Sequence, residues 1–275
     1  MIHSILLSVL LLSGVGVLSG IILYGVAKKF QITEDPRIDD VQAILPGVNC
    51  GGCGYPGCRS FAQACVAAKD LEKLFCPVGG NACMRQVAQA LGIEIIERDA
   101  LIAVVRCNGS VQNRPRTNAY DGTTWCKIVH NLYTGETGCS YGCLGFGDCV
   151  KSCKFGAIKI DPVTKLPLVD EEKCVACGAC VKACPRQLIE LRVKGKDGHR
   201  IFVSCRNPEK GSVARKNCSA ACIGCGKCFK ACAFGAITMG TNLAYIDFQK
   251  CTLCQKCVAQ CPTKAIHEVL HGKKI

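Results

Sequence analysis

The chain has 275 residues, 26 of them cysteine, and a formal net charge of +13. Cysteine at that density, with only 6% aromatics and the single tryptophan Trp125, excludes one large conventional core, and 49% apolar residues exclude disorder. The charge is uneven: the first 100 residues sum to −1 and the remaining 175, which hold most of the cysteines, to +14.

Ser4 to Ala27 is an uncharged run, rich in leucine, isoleucine and valine. As a helix it reaches about 36 Å, enough to cross the roughly 30 Å hydrocarbon layer. Gly16 and Gly20 form a GxxxG pair able to seat a neighbouring helix. A cleaved leader would carry a basic residue before the run and a small-residue cleavage site. Instead only Met1, Ile2 and His3 precede it, and Lys28 and Lys29 follow. That order predicts a retained anchor, with the N-terminus outside and the rest in the cytoplasm. A reducing compartment favours metal ligation over disulfides.

Asp35-Pro36 predicts a helix start, with Asp35 as N-cap and Ile38, Val41, Ile44 and Leu45 as its apolar face. Pro46-Gly47 ends it. Next comes Asn49-Cys50-Gly51-Gly52-Cys53-Gly54-Tyr55-Pro56-Gly57-Cys58, then a helix expected over 59–74, then Cys76-Pro77-Val78-Gly79-Gly80. The spacing C-x2-C-x4-C-x17-C puts three thiolates on one glycine-rich loop and returns a fourth after a helix. This suits a 4Fe-4S cube better than zinc, whose sites pair two short knuckles. Cys65 reads as buried filler, and Cys83 falls outside the pattern.

Residues 91–138 read as a linker. Ile93, Ile95, Ile96 and Leu101 to Val105 have strand character, and 113–124 is polar and turn-rich. Cys107 and Cys126 have no short-range partner here. They are either plain buried thiols or ligands of an extra cluster.

Two segments then repeat, with Cys139 answering to Cys218 and Cys174 to Cys251. The first carries Cys139, Cys143, Cys149 and Cys153, then Cys174, Cys177, Cys180 and Cys184. The second carries Cys218, Cys222, Cys225, Cys228 and Cys232, then Cys251, Cys254, Cys257 and Cys261. C-x2-C-x2-C-x3-C-P is the bacterial ferredoxin run, whose fourth cysteine crosses to the other cluster. By that rule Cys153, Cys174, Cys177 and Cys180 form one set. Cys222, Cys225, Cys228 and Cys261 form a second, and Cys232, Cys251, Cys254 and Cys257 a third. The remaining set holds Cys143, Cys149 and Cys184, but its fourth position is Phe146, which cannot ligate iron. A 3Fe-4S cluster, replacement by Cys139, a non-protein ligand and no cluster at all are the open outcomes. Cys218 occupies the position in the second pair that matches Cys139, and the segments around Cys107 and Cys205 look alike. A short helix is expected after each Cys-Pro.

The fold class expected is therefore α+β and multi-module. It comprises a transmembrane anchor (1–28), a small four-cysteine cluster domain (29–90), the linker (91–138), a ferredoxin-like module (139–190), a connector (191–217) and a second such module (218–275). Each cluster with four thiolates carries about −2, so five would offset roughly 10 of the positive charges. The basic surplus reads as compensation for clusters, and nucleic acid is not an expected partner. No dinucleotide fingerprint, phosphate-binding loop or nucleophile–base pair stands out, and His130, His199, His267 and His271 are scattered. The chain reads as an electron relay without substrate chemistry of its own.

These features together resemble the B subunit of the Rnf complex, a membrane-bound ion-translocating ferredoxin:NAD oxidoreductase. The 49–58 motif with Cys76-Pro77-Val78-Gly79-Gly80 is the most diagnostic part, and the two-pair repeat makes this a long version of that subunit. The resemblance implies that Cys50, Cys53, Cys58 and Cys76 hold a cluster. It also implies that electrons come from soluble ferredoxin and pass to other membrane and peripheral subunits, with Na⁺ or H⁺ moved across the membrane. A membrane-anchored polyferredoxin serving a hydrogenase or dehydrogenase would share every feature except the first module. A zinc-binding scaffold is the alternative of another class.

Overall fold

A computed structural model describes residues 2–29, 34–94, 97–132, 134–270 and 272–274. Helix α1 (Ile2–Lys29) is long and apolar enough to cross a membrane, with mean hydropathy 2.2 over Val9–Lys29. None of that window is buried against the rest of the chain. A Cβ added at Gly16 or Gly20 would meet nothing within 4 Å, so the GxxxG face has no partner among the described residues.

The next module is built from α2 (Arg37–Ile44), α3 (Cys58–Ala67) and α4 (Gly80–Leu91). Helix α2 begins one residue later than the Asp35 cap predicts, with Pro36 at its N-cap. Asp35 still accepts the Arg37 backbone N–H at 2.9 Å. Helix α3 stops at Ala67, well short of the expected Leu74, because Ala68 is already extended. Helix α4 is not among the elements the sequence predicts. It buries Cys83, Met84, Val87 and Ala88 against Val41, Phe61 and Cys65. Its spacing is helical, but the cluster motif running into it masks the start. Ile95 and Ile96 lie outside the described residues, and Ile93 lies beyond α4 in no strand.

The remainder is two copies of one plan. In the first, β1 (Leu101–Val105) pairs antiparallel with β4 (Ile189–Val193), and β2 (Ile158–Ile160) pairs with β3 (Pro167–Val169). In the second, β5 (Arg200–Val203) pairs with β8 (Ile266–Leu270), and β6 (Ile237–Gly240) pairs with β7 (Leu243–Ile246). The short β9 (Lys273–Lys274) adds to β8. Strand β1 of the linker and β5 of the connector therefore complete the two modules, and β4 runs through the expected boundary at 190. Helices α5 (Cys126–Leu132) and α8 (Gly211–Asn217) lie between the strands and the cysteine runs.

Short helices α6 (Asp148–Lys151), α7 (Ala179–Ala183), α9 (Lys227–Ala231) and α10 (Lys256–Ala259) precede the fourth cysteine of each run. They do not follow Cys-Pro as expected. Proline after the last cysteine turns the chain instead, and the segment leads into β4 or β8. The residue before each short helix is left-handed: Gly147, Gly178, Gly226 and, in the last run, Gln255. The run broken by Phe146 thus keeps the backbone of the intact ones.

Candidate metal centres

None of the 26 cysteines is in a disulfide, and most are buried or half-buried. Cysteine loops with so little regular structure have no core of their own to order them, so a shared inorganic centre is the natural cross-link. In the N-terminal module, Cys50, Cys53, Cys58 and Cys76 line one cavity of about 330 Å³. Asn49 holds its rim: its Oδ1 accepts the Cys58 N–H at 2.8 Å, where α3 begins. The Gly52 and Gly79 amides point at Cys50 Sγ (3.5 Å) and Cys76 Sγ (3.4 Å). Cys65 is fully buried behind this cavity, where burial pushes its thiol up to about 12. Cys83 is likewise pushed up, to about 11.

The second ferredoxin-like module carries two such cavities. Cys222, Cys225, Cys228 and Cys261 line one of about 350 Å³, and Cys232, Cys251, Cys254 and Cys257 one of about 330 Å³. Both follow the crossing rule. In the first ferredoxin-like module Cys180 lies within electrostatic reach of Cys174, Cys177 and Cys153, the set expected there. Backbone amides face the crossing sulfurs: Ala157 N to Cys153 Sγ at 3.3 Å, Leu188 N to Cys184 Sγ at 3.3 Å, and Ala265 N to Cys261 Sγ at 3.2 Å. Such amides stabilise thiolate over thiol.

At the broken run the structure brings in a cysteine from outside the motif. Phe146 turns its ring onto Tyr120, 5.9 Å between centroids. The cavity of about 420 Å³ lined by Cys143, Cys149 and Cys184 has Cys126 as its fourth cysteine. Cys126 opens α5, and the buried Asp148 carboxylate accepts the Cys126 and Lys127 N–H groups at 2.8 and 3.0 Å. Burial pushes the Cys126 thiol above its ordinary value. Cys139, one of the substitutes the sequence leaves open, does not line this cavity. It lines another of about 320 Å³, together with Cys107, Cys205 and Cys218.

Among the described residues, no three His, Cys, Asp or Glu side chains converge closely enough to hold a single metal ion. Four of the five sulfur sets described above instead line cavities of about 330–420 Å³, room for a multi-iron centre. Of the histidines, His199 pairs with Glu268 at 2.7 Å, and His271 lies outside the described residues.

The cavities fit what comparison with known proteins gives. A family described as a putative Fe-S cluster domain matches residues 45–78, and a 4Fe-4S dicluster domain matches 138–188 and 221–265. The B subunit of the Na⁺-translocating ferredoxin:NAD⁺ oxidoreductase complex of Acetobacterium woodii is 43% identical over 99% of this chain and 81% of its own length. The B subunit of the ion-translocating oxidoreductase complex of Methanosarcina acetivorans is 40% identical over 94% of this chain and 96% of its own. The proton-translocating counterpart from Clostridium ljungdahlii is 36% identical over 98% and 94%. With 4Fe-4S domains in series behind an apolar helix, and this likeness along nearly its whole length, the chain belongs to the family of Rnf-complex B subunits and is an iron–sulfur electron-transfer subunit of an ion-translocating oxidoreductase.

Proposed function

We propose that this chain is the wire of its complex, taking electrons from a reduced soluble ferredoxin and delivering them towards NAD through neighbouring subunits that couple the flow to Na⁺ or H⁺. It acts as one part of a redox-driven translocase and carries out no substrate chemistry itself. Its helix α1 tethers the cluster modules to the cytoplasmic face, with the N-terminus outside, in keeping with Lys28 and Lys29 at the inner end.

Five ligand sets serve this reading: Cys50, Cys53, Cys58 and Cys76; Cys153, Cys174, Cys177 and Cys180; Cys126, Cys143, Cys149 and Cys184; Cys222, Cys225, Cys228 and Cys261; Cys232, Cys251, Cys254 and Cys257. Each accepts a 4Fe-4S cube, which supplies a one-electron couple when bound. The chain's part is to space, bury and bias these sites. The observation that carries the reading is the contact between successive sites within each half of the chain. Gly52 of the first site packs on Cys177 of the second. Cys149 and Cys180 share one buried cluster of side chains, as do Cys228 and Cys257.

The far end suits a carrier. Cys225 and Cys254 are exposed, as are Phe229 and Phe234. Residues 218–275 carry seven lysines against only Asp247 and Glu268. An acidic ferredoxin docks on such a surface by charge, so electrons enter here and leave at the membrane side. Stopped-flow reduction of the purified complex by ferredoxin tests this. The second-order rate falls steeply from 50 mM to 500 mM salt, and reversing Lys227 and Lys230 to Glu removes most of that dependence. A salt-independent rate refutes the docking surface.

A further inference from the structure

Four cysteines answer to no ferredoxin spacing. Cys107 comes from the linker, Cys139 from the head of the first module, Cys205 from the connector and Cys218 from the head of the second. All four are buried, and together they line one cavity of about 320 Å³. The three cavities formed by intact motifs measure about 330, 350 and 330 Å³.

We propose that Cys107, Cys139, Cys205 and Cys218 hold a further 4Fe-4S cluster, seated at the joint between the two ferredoxin-like modules. Its role rests on the relay reading; its ligands do not.

Local structure brings the four together for a reason. The look-alike segments around Cys107 and Cys205 bind each other: Asn108 N donates to Ser204 O at 3.0 Å, and Arg106 Nε to Val203 O at 3.2 Å. Cys139 and Cys218 hold matching positions ahead of the two repeats. Each repeat thus gives one cysteine after its first strand and one before its first run, and the site sits where the copies meet. A site shared by two copies of a repeat leaves no short C-x2-C signature in either one.

The chemistry fits an anionic cluster. Hydrogen-bond donors face three of the sulfurs: Cys143 N to Cys107 Sγ at 3.5 Å, Asn207 N to Cys205 Sγ at 3.5 Å, and Asn207 Nδ2 to Cys139 Sγ at 3.8 Å. Arg114 runs along the wall, so close that a Cβ on Gly142 would stand 2.1 Å from its Nη1. Arg186 donates to Cys139 O at 3.3 Å. The Nε atoms of both arginines are buried without a hydrogen-bond partner. Two half-buried guanidiniums, each with a buried Nε, are partly desolvated beside neutral thiols, whereas a cluster of charge about −2 compensates them.

The position fits a relay station. Cys107 packs with Cys143 and Cys184 of the first module's site. On the other side Cys205 and Cys218 share a core with Cys222, Cys228 and Cys261. The joint cluster takes one electron from the second module's site and gives one to the first module's, so six stations form one unbranched line.

The test uses the full chain purified anaerobically, as wild type, Cys139→Ala and Cys218→Ala. Iron and acid-labile sulfide are counted, and thiols open to alkylation are mapped by mass spectrometry before and after iron is stripped. Wild type is expected to carry about 24 irons, four per cluster, with only Cys65 and Cys83 outside a ligand set. Each variant is expected to lose from one iron, leaving a 3Fe-4S cluster, up to the cluster's about four irons and four sulfides, while the EPR of the reduced intact-motif clusters persists. Because a variant could also fail by misfolding, the wild-type map stands as the second readout. Alkylation of native Cys107, Cys139, Cys205 and Cys218 with about 20 irons present overturns the joint cluster and leaves the relay standing. One zinc per chain on these four thiols overturns it equally. Iron near zero throughout overturns the relay as well.

Discussion

Replacing Cys126 tests the assignment that departs furthest from the motif. Cys126→Ala is expected to convert one four-iron cluster to 3Fe-4S. One iron per chain is lost, and the oxidised protein gains a 3Fe-4S EPR signal that wild type lacks. Asp148→Ala should do the same from a distance. Its carboxylate is 7% exposed and receives two N–H bonds at the start of α5. Hydrogen bonds to a charged group contribute about 1.5–3 kcal/mol each, so the pair is worth about 3–6 kcal/mol. Helix α5 has seven residues, too few to persist on its own helix propensity. Loss of the latch therefore releases the helix, and Cys126 with it. Asp148→Asn keeps one acceptor and should give a mixture of the two cluster forms. Iron and sulfide counts with EPR at low temperature read all three variants. The reasoning is refuted if Cys126→Ala keeps its four-iron complement, since the fourth ligand then lies elsewhere. It is also refuted, for Asp148 alone, if Asp148→Ala matches wild type.

Two further outcomes follow from packing. Gly52→Ala puts a methyl 3.0 Å from both Cys177 Cβ and Pro77 Cγ, and 3.2 Å from Cys177 Cα. Overpacking of this kind costs about 1–3 kcal/mol, so the thermal midpoint should fall and the spin coupling between the two adjoining reduced clusters should weaken; an unchanged pair of spectra counts against their contact. Cys65, held up to about 12 against an ordinary 9.0, keeps its proton in the fold through pH 9–12 where the unfolded chain has lost it. Stability is therefore full below pH 9 and declines as pH rises towards 12, and native Cys65 should alkylate at pH 9 roughly 500-fold more slowly than in denaturant. Equal rates would place it at the surface.

The intact ferredoxin runs are legible because their ligands are local. Their first three sulfurs sit on one short loop, and in two of the three the crossing fourth is flagged by the proline after it, Pro185 and Pro262. Cys126 is not legible, because the whole turn-rich approach to the first run separates it from Cys143 and only the Asp148 latch brings it back. The joint cysteines are less legible still. Their partners are strung out from Cys107 to Cys218, and the strands β1 and β5 that lead into two of them read as linker and connector. The similarity between the Cys107 and Cys205 segments is the one available signal, and it becomes meaningful only once the two are seen to pair. Helix α4 hides for another reason: its first turn is the tail of a cluster motif, where glycine and proline argue against helix.

The basic surplus serves two purposes that composition merges into one number. Arginine goes inside. Arg106, Arg192 and Arg200 are nearly fully buried, Arg114 walls the cavity at the joint, and Arg186 walls the cavity of Cys126, Cys143, Cys149 and Cys184. Arg106 and Arg192 both meet Glu190 and stack over the Tyr245 ring, a geometry that a planar, weakly hydrated guanidinium tolerates and an ammonium does not. Lysine goes outside, on the helices and turns around Cys225 and Cys254. Under the proposed relay, interior charge offsets clusters and raises their affinity for an electron, and exterior charge is the surface proposed for the donor. The same +13 that would suggest a nucleic-acid surface in another chain is here divided between the wire and its socket.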